Sequence, residues 1–179
     1  MAKSGPEFPE VPDHPHLKEF REFTPQADKE SARGEVLMSI AYLDELLRRI
    51  LLVFFVDDPQ HEELMEDAMG PVASFSSRIK LCGALGLLRQ KEVDELHRLP
   101  KIRNRFSHEI HVSFDDQQIK DWCKNLTYKA HDYKHPTMGE IVLPPRGQFT
   151  TSTHSLILNL VNRAHYVRQR RCVARDWPY

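Results

Sequence analysis

Apolar residues in this chain recur three and four positions apart, and proline and glycine cut that recurrence into separate stretches. Such spacing puts apolar side chains on one stripe of a helix. The clearest stretch carries Ile40, Leu43, Leu47, Ile50 and Phe54. It predicts a long helix from about Asp28, as N-cap, to Phe55, halted by Asp57-Asp58-Pro59. Asp44 with Arg48 and Glu45 with Arg49 stand at helix-pairing distance on its wetter side. Its last two turns are apolar all round, as in a helix end buried on every side. A short helix is expected around His61 to Ala68, ending at Gly70-Pro71. Another follows from about Ser74 to Leu88, with Phe75, Ile79, Cys82 and Leu85 on one stripe. In it, Gly83 and Gly86 leave room for a close neighbour. Val93, Leu96, Leu99, Ile102 and Phe106 extend the pattern from Lys91 to His108, where Pro100 must kink the helix or start a new one. Ser113-Phe114-Asp115-Asp116 reads as a capped turn before a helix to about Leu126, and a last helix runs from about Ser152 to Val173. Its inward residues are Leu156, Leu160, Val161, Ala164 and Val167. No internal repeat is visible. The sum is an all-α bundle of about five main helices.

Two stretches fall outside that pattern. Residues 1–25 hold Pro6, Pro9, Pro12, Pro15 and Pro25, a density that reads as an arm, with a helical turn around Leu17–Phe20 and Phe20 and Phe23 docked on the body. Residues 26–179 then form a single domain, interrupted at about 128–150 by a polar loop with Pro136, Pro144 and Pro145, in which Ile141-Val142-Leu143 reads as a short extended piece.

A chain of 179 residues can bury a real core. Its net charge of -1 restricts any nucleic-acid contact to a local patch. Cys82, Cys123 and Cys172 are widely spaced and odd in number, which argues against a zinc ribbon or a disulfide framework. Met1–Glu10 lacks an apolar signal core, and the strongest apolar run, Ile50–Val56, is far short of the roughly 20 residues a membrane helix needs. A soluble cytoplasmic protein without membrane contact is expected.

The chemistry-bearing segment is Ile102–Glu109. Arg103, Asn104 and His108 stand within six residues of one another. Arginine clamps phosphate with two hydrogen bonds, and histidine exchanges protons near neutral pH. Together they are a minimal kit for cutting a phosphodiester without a metal, and equally one for an internal structural clamp. Asn104 shares a helix face with His108 and can hold its tautomer, whereas Arg103 and His108 lie about 140° apart on an ideal helix. They converge only if the helix ends before His108 or if two copies pool their side chains about a two-fold axis. Lys101 and Arg105 beside the motif, and Arg78 and Lys80 near a helix start, are the candidate nucleic-acid-binding residues. Arg163, Arg168, Arg170, Arg171 and Arg175 make the C-terminal end locally basic. His108 with His111 and His131 with His135 have spacings found in metal sites but lack a cysteine or carboxylate partner, so no metal is expected. No cofactor motif is present.

The segment Arg103-Asn104-x-x-x-His108 resembles the signature of HEPN domains. That resemblance implies a four- or five-helix bundle acting as a dimeric, metal-independent endoribonuclease. His108 would be general acid or base at the ribose 2′-hydroxyl, Arg103 would stabilise phosphoryl charge, and Asn104 would orient His108. Products would carry a 2′,3′-cyclic phosphate and a 5′-hydroxyl. A wider stretch resembles the mannitol operon repressor family. It comprises Gly70-Pro71, Ser77-Arg78-Ile79-Lys80-Leu81 with Gly83 and Leu85-Gly86, then Arg103, His108 and Phe114-x-Asp116. That resemblance implies a transcriptional regulator. The leading expectation is a small regulatory or toxin-like homodimer cleaving RNA. The alternative is a non-catalytic regulator working through protein or DNA contacts, and a third is an interaction module in which the motif is scaffold.

Overall fold

A computed structural model describes residues 13–57, 63–65, 70–128 and 142–178. Among them are seven α-helices and two 3-10 turns, and no strand. Pro15–Leu17 form a 3-10 turn leading into α1 (Lys18–Lys29), and α2 spans Ala32–Phe54. Then follow α3 (Phe75–Ala84), α4 (Gln90–Leu96), α5 (Leu99–His108), α6 (Gln117–Lys124) and α7 (Pro145–Val167), closed by a 3-10 turn at Arg168–Arg170.

The core is built on α2. One side of it packs along α7, others meet α5 and α3, and α6 lies on α7. Leu43, Leu47, Ile50 and Leu51 are fully enclosed, as are Leu156, Ile157 and Leu160 facing them from α7. This agrees with the apolar spacing of both segments. The end of α2 is less enclosed than its all-round apolar composition predicts: Leu52, Val53 and Phe54 are only partly buried.

Several boundaries differ from the sequence reading. The long helix does not start at Asp28. Residues 18–29 are a separate helix that carries Pro25 inside it and buries Phe20 and Ala27. The chain is extended at Glu30, and the Ser31 hydroxyl caps α2 by accepting from the Gly34 N–H at 3.0 Å. Pro100 starts a new helix and does not kink an old one. It sits in the first turn of α5, where its missing N–H breaks no helical bond. α7 begins at Pro145 and not at Ser152, because proline again serves as an opening residue and Phe149, one of the fully buried side chains, anchors the extra turns. Its α-helical part stops at Val167. α6 follows Asp116 as expected and ends at Lys124. Of the expected helix at 61–68 only residues 63–65 are described, and they are helical; most of the long loop lies outside the described residues, as do His131 and His135.

Gly83 in α3 and Gly86 just beyond its end have different reasons. A Cβ on Gly83 would lie 3.2 Å from Val93 Cγ2, so α4 is the close neighbour. Gly86 has φ +69, and the Gly86 N–H donates to the Gly83 carbonyl while the Leu87 N–H donates to that of Cys82. This is a left-handed helix ending that favours glycine.

Candidate functional site

The α5 sequence divides cleanly between inside and outside. Leu99, Ile102 and Phe106 are fully buried. Phe106 packs against Phe114 at a tilt, ring centroids 5.1 Å apart, and Phe114 meets Phe149 of α7 at 5.7 Å. This aromatic row fixes the roll of α5 about its own axis. The opposite face therefore points outward, and Lys101, Arg103, Asn104 and His108 are all exposed.

The helix runs unbroken through His108, with Glu109 as its extended C-cap. Arg103 and His108 thus stay about 140° apart within one chain. The expected route to convergence, a helix ending before His108, is not taken. No described residue bonds to the side chains of Arg103, Asn104 or His108. Ser107 Oγ donates to the Asn104 carbonyl at 3.0 Å and leaves the amide side chain unengaged. An internal clamp is therefore absent among the described residues. Every other arginine on the described α-helices is tied to a carboxylate or a carbonyl, which makes Arg103 the exception.

The other candidate cations separate. Lys101 lies over the half-buried Trp122 ring, 5.2 Å from its centroid. Arg105 is held by Glu109 at 2.9 Å and by Gln118. Lys80 is exposed without a described partner. Arg78 is not on an outer face. It is 8% exposed, and it donates to Asp44 Oδ1 at 2.6 Å and to the Met65 carbonyl at 3.1 Å. The stripe of α3 that includes Ile79 and Cys82 turns Arg78 toward α2. At the C-terminal end, Arg163 points inward and Arg171 bonds the Phe55 carbonyl and Asp57, while Arg168, Arg170 and Arg175 remain exposed. A recess of about 500 Å³ at that end is lined by Phe54, tail residues and Trp177, and by no residue of α5.

Polar groups that hold this frame were not singled out from the sequence. Glu92 is fully buried and receives Arg163 in a two-pronged contact, the Tyr128 hydroxyl at 2.9 Å and the Arg89 N–H at 2.7 Å. Burial pushes its carboxyl pKa up, but the guanidinium, the backbone N–H and the phenol outweigh that and hold it below the usual carboxylate value. Glu95, also buried, takes Arg98 at 2.8 Å, Ser152 at 2.7 Å and the Tyr128 N–H at 2.9 Å. Glu35 takes Arg146 at 2.7 Å and Thr150. Arg33 of α2 donates to the carbonyls of Glu109 at 2.5 Å and Ile110 at 3.0 Å, which clamps the chain just beyond α5. The available signal was an acid set within an apolar periodic stretch, as in Glu35-Val36 and Glu92-Val93. Its partners lie far along the chain and leave no local trace.

The mannitol repressor family model (MtlR) matches residues 25–141. In the X-ray structure of the MtlR-HPr complex from Escherichia coli, one chain matches with a TM-score of 0.58 and 18% identity, covering 81% of this chain and 97% of that one. The likeness is one of fold. No curated protein matches significantly.

Proposed function

The chain belongs to the mannitol repressor family, and from that premise we propose that it is a non-catalytic regulator acting through contact with a partner protein. The observation that carries this reading is the outer face of α5. Arg103, Asn104 and His108 are exposed and unengaged by described residues, yet spread too widely around the helix to grip one phosphate. A protein surface can span such an arc. The E. coli neighbour is crystallised with HPr, which makes the HPr protein of the same organism as this chain the first partner to try. Binding of purified HPr, read by calorimetry, is the test. Saturable one-to-one association supports the proposal, and its absence counts against this partner.

A second reading keeps the exposed motif as a metal-independent endoribonuclease, with Arg103, Asn104 and His108 as the reacting set and Lys101 beside them along the RNA. It requires a homodimer, because only a second copy brings an arginine to a histidine. RNA cleavage in excess chelator that vanishes in both Arg103→Ala and His108→Ala supports it. An inert wild-type protein together with a monomeric mass by light scattering removes it.

A further inference from the structure

The outer face of α5 combines three features. The first is charge: α5 contains no acidic residue, and it presents Lys101 and Arg103 on opposite flanks with Asn104 between them and His108 further on. The second is the state of the neighbouring carboxylates, each of which has a cation of the same chain within 4.0 Å. Glu109 holds Arg105, Asp121 lies 3.5 Å from Lys124, and Asp115 lies 4.0 Å from Lys120. The third is apolar. Trp122 is half-buried beneath Lys101, and Ile110, 83% exposed, stands on backbone that Arg33 clamps. An indole edge under Lys101 and an exposed isoleucine just beyond the end of α5 add apolar anchors to this charged surface, the make-up of a protein interface.

The geometry points to this face of α5, with the Trp122 edge of α6, as the docking surface for an acidic protein partner. The inference rests on the regulator reading above and adds the place and the charge. A nucleic-acid backbone fits less well. It has no apolar hollow in which to seat the exposed Ile110 side chain. An acidic protein face can meet the cations with its carboxylates and seat the isoleucine in an apolar hollow.

Poly-L-glutamate, fluorescently labelled, is the probe, and its anisotropy is followed with the full chain. Wild-type protein is expected to bind with an affinity that falls as salt rises. Lys101→Glu/Arg103→Glu is expected to weaken binding about tenfold or more. Arg168→Glu/Arg170→Glu, at the basic tail, is expected to leave it essentially unchanged. Circular dichroism confirms folding of both, and neutral Lys101→Met/Arg103→Met replaces the reversal if it misfolds. The inference is overturned if wild-type protein does not bind, if the tail variant loses binding and the α5 variant does not, or if an oligouridylate of matched charge binds more tightly with the same α5 dependence. HPr capture separates the two levels. Equal capture by wild type and the α5 variant retains the regulator and removes this surface. Glutamate binding without HPr capture retains the surface and removes that partner.

Discussion

Arg103 and Arg163 are the same residue type put to opposite uses. Arg163 is folded inward onto Glu92, whose four polar contacts replace the water it has lost. Removing one member of such a pair leaves a buried charge without its counterion. Arg163→Met should therefore lower stability by about 3–5 kcal/mol in urea unfolding. Arg163→Met/Glu92→Leu should recover part of that loss, because no orphaned carboxylate remains. Arg103 bonds nothing described, so Arg103→Ala should leave the unfolding midpoint within about 0.5 kcal/mol of wild type. The three cysteines divide in a similar way. Burial pushes the thiols of Cys82 and Cys123 up to about 12, while Cys172 is exposed. Iodoacetamide at mildly alkaline pH should label one site in native protein and all three after denaturation, read by intact mass.

At the scale of elements, ends matter more than middles. α3 is bounded by a Ser74–Ser77 capping box at one end and by Gly86 in the left-handed region at the other. Ser74→Ala should cost about 1 kcal/mol through the lost cap. Gly86→Ala should cost about 1–2 kcal/mol because open space around it does not relieve a backbone conformation that L residues avoid. Thermal denaturation would check both, and an unchanged melting point for Gly86→Ala would show that the turn relaxes. Such ends were partly legible. Ser74 and Asp116 stand before apolar stripes, and prolines mark starts. Over residues 18–29 proline density argues against helix, whereas burial of Phe20 and Ala27 against the body holds a helix that contains Pro25. Propensity is a local quantity, and packing overrode it.

For the whole molecule, the part-buried His154 and the buried Glu92 shape how stability responds to acid. Burial lowers the His154 pKa below 6.5, with nearby Asp28 and Glu35 offsetting this only in part. As pH falls through 6.5 the unfolded chain takes up a proton that the folded one resists, so stability declines from there downward until the folded pKa is passed. The depressed Glu92 carboxyl acts lower on the scale. Its contribution is complete above the ordinary value of 4.5 and is lost as pH falls through the folded value. Urea midpoints measured from neutral to acid pH should thus fall in two stages. His154→Leu should remove the upper stage and Glu92→Gln should flatten the lower. A single stage in wild type that His154→Leu leaves unaltered would refute the assignment.

What the sequence determined by itself is what depends on neighbours three or four residues away. Apolar spacing implied an all-helical bundle, and it placed Leu43, Leu47, Ile102, Phe106, Leu156 and Leu160 in its core. The local motif also drew attention to Arg103, Asn104 and His108. Only the tertiary structure decided which charged groups are spent inside and which are left for a partner. Arg78 and Arg163 looked like surface cations because their carboxylates, Asp44 and Glu92, lie 34 and 71 residues away. Arg103 is left outward because Leu99, Ile102 and Phe106 set the roll of α5. A side chain's direction follows from the packing of its whole helix, and that packing is settled between segments distant in the chain.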